Sequence, residues 1–325
     1  MHKAALLYNP ASGGGRRRQK DLQAALTLLR QGGVEAELIL TQSSSDGAEQ
    51  ARRAVGSGCD TIFACGGDGT VHDLIQGLAG THAALGILPM GTANALAHDL
   101  ALPLNPVAAA RSALEAAPQR VALGQIAFQD FQGRPATRYF TVAAGAGVDA
   151  HLFYKLNPSA KNRLGMAAYY AKAWRLWMSH RMVRFQAVWT DTASGTARSA
   201  SLTELLAVRI RNFGGILREL APGASLARND VGVLLCHTSS RAAYLSYVMR
   251  CMLGLSRNVQ GVEMVSSAAI SCDYAEVDRQ ASIASAKVYV QADGELLGTL
   301  PARISVVPEL LTILVPQVFA STRPS

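Results

Sequence analysis

The chain has 325 residues, of which 49% are hydrophobic and 17% are charged, and this composition excludes an intrinsically disordered protein. Its net charge of +8 favours an anionic partner, such as a nucleotide, a nucleic acid or an acidic membrane surface. The five cysteines have no Cys-x-x-Cys spacing, which argues against a zinc knuckle and a secreted disulfide framework. Without a signal peptide pattern or an apolar run of about 20 residues, we expect a cytoplasmic protein with reduced, buried thiols.

The first third of the chain alternates strand and helix patterns. Strand patterns cover residues 3–8, 34–40, 60–65 and 84–89, and helix patterns cover about 16–30, 46–55, 71–78 and 93–100. Strands that alternate with helices predict parallel pairing in a doubly wound α/β sheet. In such a sheet, ligands bind at the carboxyl ends of the strands.

From about residue 119 the pattern changes to strands with hairpin-like connections. The strand patterns cover 120–128, 138–145, 182–189, 204–211, 231–238, 268–273, 286–294 and 302–307. This half is predicted to be all-β, as a sandwich with helical insertions near 161–180 and 241–254. A cleft between the two domains is the expected active site.

Glycine-bearing turns follow three of the early strands, and a helix follows each turn. They are "NPASGGG" (9–15), "GGDGT" (66–70) and "PMGTAN" (89–94). Glycine lets the backbone approach a ligand closely, and the N–H groups at a helix start form an anion site. Asn9, Ser12, Thr92 and Asn94 add side-chain donors, and Thr41 ends the second strand at the same predicted edge. Together these turns indicate a phosphate site.

Asp68 is an acid placed inside one of these turns. A bare carboxylate repels phosphate, so beside a triphosphate it requires a divalent cation that bridges the two groups. The alternative is that Asp68 only caps its turn. Thr70 and Asp73 resemble a capping box, with Thr70 as the N-cap of a helix that begins at Val71.

These turns, with "NFGG" (212–215) and "ADGE" (292–295), resemble in their order the diacylglycerol kinase catalytic-domain family, which includes bacterial soluble lipid kinases and sphingosine kinases. In that family the end of the chain returns to the first domain. The resemblance therefore implies an α/β nucleotide-binding domain at 1–124 plus 306–325, and a β-sandwich lipid-substrate domain at 125–305. It implies these ATP-binding residues: Asn9, Pro10, Ala11, Ser12, Gly13, Thr41, Gly66, Gly67, Asp68, Gly69, Thr70, Asp73, Gly91, Thr92 and Asn94.

"VYVQADGELLG" contains the candidate catalytic pair, Asp293 and Glu295. Read alone, Asp-Gly favours an ordinary hairpin turn. The resemblance implies that the general base lies here and accepts the proton of the lipid hydroxyl, and either residue could be that base. It also implies a Mg²⁺ ion held through Asp68, which would take part in catalysis, and a second acid near the metal at Asp99.

The resemblance implies a second, structural Mg²⁺ site. Its ligands would be Asp230 and the backbone carbonyls of Ala227 and Gly232. Val231 stands where the family has glycine, so a turn without metal is an equal alternative. Ala122 stands where the family commonly has an acid that supports the water around the metal, which suggests altered metal binding or weak activity.

The stretch from His151 to Thr190 has no acidic residue and interleaves basic with aromatic side chains. This indicates peripheral binding to an anionic membrane surface, or else a helix packed on the sandwich. No recognised nucleic-acid motif is present. A homodimer is left open.

The sequence predicts an ATP-dependent lipid kinase that converts diacylglycerol to phosphatidate. The alternatives are a kinase for a sphingoid base or another lipid alcohol, an NAD kinase-like phosphotransferase, and a catalytically weak regulator that binds lipid or nucleotide.

Overall fold

A computed structural model describes residues 1–10, 15–41, 46–147, 182–214, 219–255, 258–274 and 287–316. The chain forms two compact units. The first contains Met1–Leu123, Asn212–Ile216 and Val307–Ser325, and the second contains Gly124–Arg211 and Leu217–Val306. Three predicted ATP-binding residues, Ala11, Ser12 and Gly13, lie outside the described residues, as does 151–181 of the basic and aromatic stretch.

The first unit is built on a parallel sheet with helices between its strands. The strands are β1 (Lys3–Tyr8), β2 (Glu35–Leu40), β3 (Thr61–Gly66) and β4 (Ala84–Pro89). The helices are α1 (Gly15–Gln31), α2 (Gly47–Gly56), α3 (Asp68–Leu78), α4 (Ala95–Asp99) and α5 (Pro106–Leu114). The sheet order is β2–β1–β3–β4, and the end of β15 (Glu295–Val315) pairs in parallel with β4 through Thr312 and Ile313.

The helices of this unit form two packed pairs, α1 with α5 and α2 with α3. Every residue of β3 and β4 is buried, as expected for parallel strands that are covered on both faces. On one face Leu6 packs with Leu22 and Leu29 of α1. The doubly wound α/β class predicted from the alternating pattern is confirmed.

Two helices of this unit differ from their predictions. Helix α3 begins at Asp68, with Gly67 as its N-cap. Thr70 is therefore the third helical residue, and the predicted capping box of Thr70 and Asp73 is wrong. Helix α5 was not predicted, although its start has a recognisable signal: the Asn105 side chain accepts hydrogen bonds from two N–H groups of the first turn, and proline follows it.

The described residues of the second unit form mostly β-strands, and the predicted helical insertion near 161–180 lies outside them. Its strands are the second half of β5 (Ala117–Gln129), β6 (Pro135–Phe140), β7 (Ala143–Gly147), β8 (Phe185–Thr190), β9 (Ala197–Leu202), β10 (Glu204–Val208), β11 (Val231–Cys236), β12 (Val262–Ser267), β13 (Ala269–Asp273), β14 (Tyr289–Ala292) and most of β15, and it contains α6 (Arg241–Met252). The predicted helical insertion near 241–254 is present as α6. No helix in the described ranges is long and apolar enough to cross a membrane.

The strands of the second unit pair in three groups that share β15, one of which joins β15 to β5 and β6. A second group has the order β12–β11–β10–β7–β14–β15, and the third joins β15 to β13, β8 and β9. Alternate residues of β8, including Phe185 and Trp189, are buried with Leu205 of β10 and Val233 of β11 in one core. Side chains that alternate between a core and solvent are what a strand repeat of two residues produces in a sandwich.

Candidate functional site

Four chain segments leave the sheet of the first unit at the same edge. Tyr8 of β1 pairs with Leu40 and Cys65, and Gly66 pairs with Pro89, so the carboxyl ends of the four strands are aligned. Backbone bonds continue this alignment past the strands: the Thr41 N–H donates to the Tyr8 carbonyl at 2.9 Å, and the Met90 N–H donates to the Gly66 carbonyl at 2.8 Å. The turns predicted to bind phosphate therefore begin side by side.

The turns after β3 and β4 touch through their backbones. A methyl group added to Gly91 would lie 2.5 Å from the Gly67 Cα, and one added to Gly66 would lie 2.1 Å from the Thr70 Oγ1. Real Cβ atoms do not make contacts this short, so both positions require glycine for lack of space. The glycines of the two motifs thus allow one turn to pack directly on the other.

Asp68 joins the same two turns through its carboxylate. Its Oδ1 accepts a hydrogen bond from the Ala95 N–H at 2.7 Å, and its Oδ2 accepts one from the Asn94 N–H at 3.0 Å. As the first residue of α3, the carboxylate also lies at the positive end of that helix dipole. These contacts agree with the alternative that Asp68 caps the turns.

Asn94 closes the turn after β4. Its Oδ1 accepts from the Gly91 N–H at 2.9 Å and its Nδ2 donates to the Gly91 carbonyl at 3.1 Å, while its backbone is left-handed with φ of 49°. Asparagine tolerates this conformation better than most residues. Thr92 is exposed within the turn. Nucleotide contacts by Asn94 and Thr92 stay predictions.

The remaining predicted ATP-binding residues lie at or near this edge. Asn9 and Pro10 follow β1, and Thr41 is buried just after β2. Gly69 and Thr70 are in the first turn of α3. Asp73, one turn further along α3, lies against the start of α2, since a methyl group on Gly47 would be 3.0 Å from the Asp73 Cβ.

Asp99, at the end of α4, contacts the "NFGG" segment. Its Oδ1 accepts a hydrogen bond from the Asn212 N–H at 2.9 Å. A methyl group on Gly214 would lie 2.2 Å from the His98 Cδ2, so the segment packs closely on α4. Helix α4 therefore has the Asp68 carboxylate at its first residue and the Asp99 carboxylate at its last. Ala122 is buried in β5 and supplies no acid.

In the second unit, Asp293 and Gly294 form the two-residue hairpin between β14 and β15. Both have positive φ, 49° and 85°, as a type I′ turn requires. The Asp293 carboxylate accepts from the N–H groups of Thr141, Val142 and Ala143 at 3.0, 2.8 and 3.0 Å, and from the Thr141 hydroxyl at 3.3 Å. These bonds fasten the hairpin to the break between β6 and β7, where the sequence had predicted one continuous strand.

Glu295 differs from Asp293 in its surroundings. It is exposed at the start of β15, and among the described residues no hydrogen bond or ion pair involves its carboxylate. The hairpin therefore holds one acid in a fixed network and presents the other to solvent.

Comparisons with known proteins identify the chain. The diacylglycerol kinase catalytic domain matches residues 3–126, and the YegS C-terminal NAD kinase β-sandwich-like domain matches residues 142–315. The chain belongs to the diacylglycerol kinase catalytic-domain family. This match confirms the resemblance predicted from the ordered motifs. The family is a kinase family.

Relatives of this kinase match either most of its length or about half of it. It is 27% identical over 304 residues to a diacylglycerol kinase of Bacillus subtilis, covering 93% of this chain and 92% of that protein. It is 34% identical over 173 residues to a probable YegS-like lipid kinase of Chromohalobacter salexigens, about half of each chain at 51% and 53%. A crystal structure of a diacylglycerol kinase from Bacillus anthracis has the same fold, with a TM-score of 0.67 at 16% identity and 98% coverage of both chains.

In this kinase the acid predicted to bind the structural metal, Asp230, contacts other groups of the protein. The buried Asp230 carboxylate pairs with the Arg228 guanidinium, and Gly232 lies in β11 between β10 and β12, where strand pairing engages the backbone. The turn also contacts Arg209, which sequence reasoning missed. Its signal was a charged residue inside the apolar strand pattern "ELLAVRIR".

Proposed function

We propose that this chain is an ATP-dependent lipid kinase that transfers the γ-phosphate of ATP to the hydroxyl of diacylglycerol and forms phosphatidate. The observation that carries the proposal is the pair of glycine turns after β3 and β4, packed on each other and joined by Asp68. Membership of a kinase family and the names of the relatives support the reaction and the lipid acceptor.

The nucleotide would bind at the carboxyl edge of the parallel sheet. The first N–H groups of α3 have no partners within the helix and form an anion site for phosphate oxygens. Asp68 would hold Mg²⁺, because carboxylate oxygens are ligands that this ion prefers, and Asp99, at the other end of α4, would be a second acid near the metal. When bound, Mg²⁺ would offset the negative charge of the phosphates.

Glu295 is the better candidate for the general base. The Asp293 carboxylate already accepts four hydrogen bonds that hold the hairpin, whereas the Glu295 carboxylate is exposed. Glu295 would accept the proton of the acceptor hydroxyl as its oxygen bonds to the γ-phosphorus. The bond from that phosphorus to the β–γ bridging oxygen breaks, and ADP leaves with the electron pair.

The lipid acceptor implies that the kinase works at a membrane surface. We propose peripheral binding to anionic bilayers, supported by the net charge of +8. Diacylglycerol in vesicles that contain phosphatidylglycerol should be phosphorylated faster than in phosphatidylcholine vesicles, and the difference should fall at high salt. Equal rates in the two vesicles would remove the anionic-surface proposal.

The function is tested by labelled phosphate transfer from γ-labelled ATP to a panel of diacylglycerol, sphingosine and NAD. We expect label in an organic-phase product of diacylglycerol, and its loss in Asp68→Ala. Glu37→Ala, which removes an exposed carboxylate of β2, is the control and should retain full activity. Label in NAD alone, or ATP binding without transfer to any acceptor, would overturn the proposal.

A further inference from the structure

Arg209 is the largest fully buried side chain in the described part of the chain, at 0% exposure. It directly follows β10. Burying a guanidinium is costly unless hydrogen bonds replace its lost hydration. Here Nη1 donates to the carbonyls of Arg228 and Asp230 at 2.8 and 2.7 Å, and Nη2 donates to the Leu226 carbonyl at 3.1 Å. Three carbonyl oxygens of the turn at 226–230 therefore surround one buried positive charge.

The carboxylate of the same turn is bound by a second guanidinium. The Arg228 Nε donates to the Asp230 Oδ1 at 2.6 Å and Nη2 donates to Oδ2 at 2.5 Å, a two-point contact with a carboxylate that is only 7% exposed. Arginine suits this role because its planar donors match both carboxylate oxygens. A guanidinium keeps its proton in proteins, so Arg209 carries its positive charge at neutral pH.

Carbonyl and carboxylate oxygens are the atoms that a structural Mg²⁺ or Ca²⁺ would use as ligands. In this turn the Asp230 carboxylate contacts the Arg228 guanidinium, and the carbonyls on either side of Ala227, those of Leu226 and Arg228, contact the Arg209 guanidinium. A divalent ion placed among them would have to displace these contacts and would be repelled by two fixed positive charges. The residues present do not fit the structural metal that the family resemblance implies.

We propose that the Arg209 guanidinium is the built-in cation of the turn at 226–230, and that this turn binds no structural divalent metal. The proposal is separate from the nucleotide-bound metal and does not depend on the lipid acceptor. It means that the second unit folds and remains stable without divalent ions.

The first test measures thermal unfolding of the nucleotide-free chain with excess Mg²⁺ or Ca²⁺ and with EDTA. We expect the melting temperatures to agree within about 1 °C, since an ion that does not bind the native state cannot stabilise it. A decrease of about 3 °C or more in EDTA that is retained in Asp68→Ala would overturn the proposal. A decrease that is lost in Asp68→Ala belongs to the nucleotide turns and would support it.

The second test compares Arg209→Met with Arg211→Met. Arg211 is a matched control, because its side chain is 72% exposed and forms a surface ion pair with Glu219. Arg209→Met leaves buried carbonyls without a cation and should lower the melting temperature by about 5 °C or more, whereas Arg211→Met should change it by about 1 °C. Equal small changes in the two variants would overturn the proposal.

If Arg209→Met does not fold while Arg211→Met does, the result agrees with the proposal. The melting temperature of Arg209→Lys is then measured instead. Lysine keeps the charge but has fewer donors, so its melting temperature should lie below that of the wild type. A wild-type melting temperature in Arg209→Lys would contradict the role of the guanidinium.

Discussion

Asp68 shows how one carboxylate can serve two helices. It is the first residue of α3, and its oxygens accept the N–H groups of Asn94 and Ala95 at the start of α4. Negative charge at a helix N-terminus contributes about 0.3–1 kcal/mol. The residue therefore has a structural reason to be acidic, beside the proposed contact with a nucleotide-bound metal, and its replacement is expected to affect both the fold of the turns and phosphate transfer.

Glu295→Gln and Asp293→Asn separate the two candidate bases. Glutamine at 295 cannot accept the proton, so kcat should fall about 10²-fold or more without a change in melting temperature. Asparagine at 293 loses an acceptor oxygen and leaves a buried N–H without its partner, which costs about 1–3 kcal/mol of unfolding free energy. Kinetics and thermal unfolding of both variants check this.

The reverse pattern would assign the base differently. A large loss of kcat in Asp293→Asn at unchanged stability, with an active Glu295→Gln enzyme, would make Asp293 the base.

For individual residues, the sequence predicts which ones are candidates for the site but not which atoms they contact. The glycine turns and Asp68 stand out in their motifs, yet the partners of Asp68 are 26 and 27 residues away. The pairing of β3 with β4 and the packing of Gly67 on Gly91 bring them together. Arg209 escaped prediction because burial of an arginine depends on carbonyls that the turn at 226–230 supplies.

At the scale of elements, the contact of two turns depends on a missing side chain at Gly91. Gly91→Ala would place a methyl group 2.5 Å from the Gly67 Cα, where backbone rather than a flexible side chain must move. We expect the turns to separate and the free energy of unfolding to fall by about 1–3 kcal/mol, which lowers the melting temperature by several degrees. ATP affinity should fall about tenfold or more. Calorimetric titration with ATP and thermal unfolding measure both effects.

Gly56→Ala is the control for this substitution. Gly56 ends α2, and a methyl group there would meet nothing within 4 Å. Stability should be unchanged or slightly higher, because alanine favours helix more than glycine does. Unchanged ATP binding in Gly91→Ala would show that the contact between the turns does not shape the nucleotide site.

The alternating pattern predicts elements well where both faces of a strand are buried, as in β1, β3 and β4. It failed for β9 and β12, whose polar and partly exposed residues give a weak repeat. It also joined β6 and β7, because the break at Thr141 is created by distant Asp293. The break between β6 and β7 depends on hydrogen bonds to a residue 152 positions away, and no local pattern records them.

At the scale of the whole molecule, β15 links the two units by chain continuity. Its early residues pair with β14 in the second unit, and Thr312 and Ile313 pair with β4 in the first. The strand adds a fifth member to the parallel sheet, next to the strand that precedes the turn at Gly91. The sheet that would hold the nucleotide therefore includes residues from late in the chain.

The most direct test of the account is a crystal structure with Mg²⁺ and a non-hydrolysable ATP analogue. The account predicts ordered phosphates against residues 66–70 and the turn at 91–94, with a metal ion that contacts Asp68 directly or through water. A nucleotide bound elsewhere in the chain, with the Asp68 carboxylate contacting only backbone N–H groups, would contradict it.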